Sequence, residues 1–153
     1  MVAIARESFQ EEKLGFYDDL EAGASGLGNL DLLIGQGVLQ YLRDPLLQLP
    51  NLLNLGFTYV YVTRTVVADE IAEPIITKQV VDLSAHGPGT ASQGFVDRKT
   101  SQPLTIMPFK SLRDRLGSGY DIIFSFAEGK NTDMHLESGA VRTREVGFLL
   151  KRS

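Results

Sequence analysis

The chain reads as an α+β, β-rich protein: a short helical or irregular N-terminal region, then an antiparallel β-sandwich or barrel of about six strands. Three observations predict this. Apolar residues are spaced helically only before about Gly56. Tyr and Val then alternate from Phe57 to Val67, the period of two that marks a strand. Further strand-like runs follow in series with little helical sequence between them.

Residues 3–21 are expected to be helical, with Ala5, Phe9, Leu14, Phe16, Tyr17 and Leu20 on a loose apolar face. Ser8 with Glu11 and Glu12 behind it suits a helix start. Gly23, Gly26 and Gly28 predict a hinge, because glycine weakens a helix interior. Leu30, Leu33, Ile34, Val38, Tyr41 and Leu42 suit a short amphipathic helix, opposed by Gly35 and Gly37. Pro45 and Pro50 break the leucine-rich stretch that follows, so it is expected to be irregular and packed against something.

Strands are expected over residues 57–67, 75–83, 104–109, 120–127, 133–137 and 141–150. The first has substantial residues on both faces and is expected to be central or at an interface. Residues 111–116 predict one helical turn, and residues 129–131 a turn between strands. Residues 84–103 are small and polar, and read as a long connection or two weak strands projecting from the body. The whole is one domain, 1–153: an N-terminal arm (1–28), a leucine-rich segment (29–56) and a β-rich body (57–153).

Composition narrows the chemistry. The chain has 153 residues and 43% hydrophobic content, in keeping with a folded domain. It has no cysteine, which rules out disulfides and thiolate chemistry and favours a reducing compartment. The longest uncharged stretch, 45–63, contains two prolines and two asparagines that would be costly in a lipid-exposed helix, so no membrane association is expected. Nor does any secretory leader stand out, and a cytoplasmic or virion location is expected.

The net charge of −4 conceals a gradient. Residues 1–74 carry four basic and eleven acidic side chains, whereas 98–153 carry ten basic and six acidic. Neutralisation within one fold is the plain explanation; complementarity between copies is the sharper one. Bases and acids are interleaved, which disfavours direct nucleic-acid binding.

No motif fixes a reaction. His86, four residues after Asp82, and His135 are the only histidines, and a His–carboxylate pair can act as a base or ligate a metal. Gly-x-Ser-x-Gly is absent. The acidic groups Asp18-Asp19-Glu21 and Asp69-Glu70-Glu73 lack calcium-loop spacing. The glycines at 23–28 lack the Gly-Lys-Ser/Thr ending of a phosphate loop.

The expectation is therefore a non-enzymatic structural protein that self-associates, such as a subunit of a viral or phage particle or a tail-like assembly. Its partners would be copies of itself and other assembly proteins, with no cofactor and no metal. Leu46, Leu47, Leu49, Leu52, Leu53, Tyr59 and Tyr61 are the interface candidates. The alternative is a small-molecule-binding β-barrel, or a small hydrolase or isomerase, that uses His86 and Asp82.

Overall fold

The computed structural model describes residues 2–8, 14–82, 99–137 and 139–153. In chain order the elements are α1 (Val2–Ser8), α2 (Leu20–Leu27), β1 (Leu32–Gln36), a 3-10 turn (Leu39–Tyr41), α3 (Pro45–Asn54), β2 (Tyr59–Ala68), β3 (Ile75–Asp82), β4 (Lys99–Pro108), α4 (Phe109–Leu116), β5 (Tyr120–Leu136) and β6 (Gly139–Arg152). The class is α+β and β-rich. The sheet is mixed and open, with strand order β3-β4-β2-β6-β5.

The expected all-antiparallel pattern is corrected at β2. One side of this central strand is shared by two parallel neighbours: β1 runs beside Tyr59 to Thr63, and β4 beside Val67 and Ala68. The 3-10 turn lies between them, where Gln40 Nε2 donates to Arg64 O at 3.0 Å. The other side of β2 pairs antiparallel with β6 along its length, apart from a bulge between Val62 and Thr65.

That bulge resets the alternation predicted for residues 57–67. Arg64 takes φ +54°, and its N–H donates to Glu128 Oε2 at 2.7 Å. Thr63 Oγ1 also donates to the Glu128 carboxylate. Val60 and Val62 therefore share one core with Val67, whereas Val66 and Ala68 belong to the core on the opposite face.

The larger core lies beneath the helices. Leu49 and Leu53 of α3, and Leu112 and Leu116 of α4, each meet it at i, i+4 spacing. They close over Val60, Val62, Phe148 and Leu150 of the sheet. The smaller core lies on the other face, where Met134 and Val141 of the β5–β6 hairpin pack against Val66, Ala68, Leu104 and Ile106.

Several local expectations are overturned, each for a physical reason. Residues 23–27 are helical. Asp19 caps α2 by accepting from Ala22 N at 2.6 Å, and the Tyr17 ring lies so close to Gly15 and Gly26 that a β-carbon at either position would strike it. These two glycines permit a close approach. The helix expected over 30–42 is instead β1 and the 3-10 turn, because Leu33 and Gly35 face inward when β1 pairs with β2. The proline-broken stretch is α3. Pro45 occupies its first turn, where no N–H is required, and the buried Leu49 and Leu53 offset the interior Pro50.

The strands expected over 120–127 and 133–137 are one strand, β5. Gly129, at φ +67°, sits in a bulge between Glu128 and Thr132 rather than in a hairpin turn. The long polar connection falls partly outside the described residues; its end, from Lys99, belongs to β4.

Candidate interaction surface

The helices cover one face of the sheet around β1, β2, β6 and β5, and the opposite face there carries a row of apolar side chains. Register builds the row. Ile34 of β1 is partnered with Tyr61 of β2, Tyr61 with Leu149 of β6, and Leu149 with Phe124 of β5. Residues opposite one another on neighbouring strands project to the same face. Ile34 is 62% exposed and Phe124 58%, with Tyr61 and Leu149 half-buried between them.

Leu32 and Tyr59, partnered one step along, extend the patch and are also exposed. Phe126 completes it. It sits opposite Gly147 and leans over it, stacking on Phe124 at 5.5 Å and on Tyr61 at 6.3 Å between ring centroids. A β-carbon at Gly147 would collide with the Phe126 ring, so glycine is what lets the ring lie flat across β6. Polar side chains bound the row toward the smaller core. There Glu128 holds the bulge through Thr63 and Arg64, and Arg64 approaches Glu145 at 3.9 Å.

The interface candidates divide sharply. Tyr59 and Tyr61 lie in this row, and Tyr59 is exposed. Leu49 and Leu53 are buried in the chain's own core, and Leu46 and Leu52 pack against it. Leu47 is 66% exposed, on the helical side. Sequence reading missed Ile34, Leu149, Phe124 and Phe126 as partners of the tyrosines. Alternating Ile122, Phe124 and Phe126 was legible, but the bulge between Ile122 and Phe124 sends Ile122 to the helical core and Phe124 and Phe126 to the open face.

Of His86, His135 and Asp82, weighed for chemistry, only Asp82 and His135 fall among the described residues. Asp82 is exposed at the end of β3, His135 is exposed on β5, and His86 lies outside the described residues. Among the described residues, no group of three His, Cys, Asp or Glu side chains is placed to hold a metal. The acidic clusters do structural work. Asp19 caps α2, Asp18 lies 3.6 Å from Arg6, and Asp69 accepts two hydrogen bonds from Arg144 at 2.8 and 3.1 Å. The Arg144 hydrogen bond holds the Asp69 carboxyl below its ordinary value, with burial opposing it. The same guanidinium lies 4.2 Å from the Phe109 ring centroid.

Among the described residues, no helix is long and apolar enough to cross a membrane. No family model, curated protein or solved structure matches the chain.

Proposed function

We propose that the chain is a non-enzymatic structural protein that self-associates, a subunit of a viral or phage particle or a tail-like assembly, residing in the virion or in the cytoplasm before assembly. Its partners are copies of itself and other assembly proteins. The observation that carries this reading is the uncovered row Ile34–Tyr61–Leu149–Phe124, with Leu32, Tyr59 and Phe126 beside it. Isolated exposed apolar residues are ordinary, but a contiguous patch spanning four strands marks an interaction surface. Tyr and Phe are suited to such a role, since each brings a large contact area with few rotatable bonds.

The test places a charge at each end of the row. Ile34→Asp and Phe124→Asp alter exposed side chains, so each variant is expected to keep the wild-type circular dichroism spectrum. Sedimentation velocity is expected to show the associated species of the wild type giving way to smaller ones in both variants. Unchanged sedimentation in both would remove this face as the contact.

A further inference from the structure

Among the described residues β1, β3 and β5 are the edge strands of the sheet, and β3 pairs only with β4. Its outer edge therefore offers backbone N–H and C=O groups to another strand. Ile76, Lys78, Val80 and Asp82 alternate onto one exposed face, with Ile76 68% and Val80 62% exposed. Their order is self-complementary. If β3 is placed antiparallel to a second β3 about a two-fold axis at Val80, Val80 meets its own copy. Lys78 of each copy then lies opposite Asp82 of the other.

We infer that two copies of this chain join edge to edge along β3, antiparallel, with the two-fold axis passing between the Val80 residues. This deepens the reading of the chain as self-associating and rests on it. The contact is separate from the aromatic row, which lies on β1, β2, β6 and β5. Two-fold contacts are the commonest between identical subunits, and opposite charges directly across an antiparallel pair favour that register.

Within each copy Asp82 is already partnered with Lys99 of β4. In the joined sheet each Asp82 thus lies between Lys99 of its own chain and Lys78 of the other, and the acid is flanked by base on both sides. Lys78 is partnered within its own copy with Pro103, which brings no competing charge. Two contacts on different surfaces would let dimers continue into a larger assembly.

The absence of cysteine allows a direct test. Val80→Cys places two thiols on the axis, within the Cα separation of about 4.4–6.8 Å that a disulfide spans. Mild oxidation of the full chain is expected to give a covalent dimer. Ile76→Cys serves as the control: its two copies would be eight residues apart along the strands, about 27 Å, and no cross-link is expected.

Lys78→Asp replaces both opposite-charge pairs with like-charge pairs and is expected to weaken this contact roughly tenfold, with recovery in the Lys78→Asp, Asp82→Lys double variant. Cross-linking of Ile76→Cys as readily as Val80→Cys, or no effect of either charge change, would overturn the register. If the wild type still exceeds 16.8 kDa in that case, self-association survives without this contact. If neither cysteine variant cross-links and the wild type remains at 16.8 kDa, both readings fail together.

Discussion

Tyr120 opens β5 and ties it to the end of α3. Its buried hydroxyl lies 2.8 Å from Phe57 O and 3.2 Å from Leu53 O, so one donor serves two carbonyls where the helix gives way to β2. Burial pushes the phenol pKa up, with Arg152 opposing, and keeps the proton on the oxygen as donor. Tyr120→Phe keeps the ring and removes the donor; chemical denaturation is expected to show a loss of about 1–2 kcal/mol. Asp69 is a weaker tie. Its folded carboxyl titrates below the ordinary 3.8, so its contribution is present above that pH and is lost as pH falls through the lowered folded value. Asp69 is largely exposed, and solvent screens the pair. Asp69→Asn is expected to lower Tm by about 1–2 °C at neutral pH, and by nothing once the wild-type carboxyl is protonated.

At the scale of elements, the strands were the most legible part of the sequence, because alternation records which face is buried. Residues 57–67 and 75–83 agree closely with β2 and β3. What alternation cannot convey is a bulge. At Arg64 and at Ile123 one extra residue exchanges the faces of everything beyond it, and only the partner strand shows it. Helices were harder to read where glycine or proline carried a tertiary purpose. Gly15 and Gly26 look like breaks in the sequence and are clearances for the Tyr17 ring. Pro50 looks like a stop, yet α3 runs through it because Leu49 and Leu53 are held in the core. Since Pro50 still removes one helical hydrogen bond, Pro50→Ala is expected to stabilise the protein by about 1–3 kcal/mol in a denaturant melt.

At the scale of the molecule, the helices and the far end of the β5–β6 hairpin together leave one region of the sheet bare. α3 and α4 cover the larger core, and the hairpin covers the smaller one on the opposite face. Neither the helices nor the far end of the hairpin, at Met134 and Val141, covers the row from Ile34 to Phe124. The tyrosines of that row were legible as candidates, but its extent was not, since it draws on four strands whose order no local pattern reveals. The charge gradient is partly resolved within the fold: Asp69, from the acidic half, pairs with Arg144 from the basic half. The mass of the unmodified chain in solution bears most directly on self-association. Light scattering across the micromolar range is expected to give a mass above 16.8 kDa that rises with concentration, whereas 16.8 kDa at every concentration would contradict it.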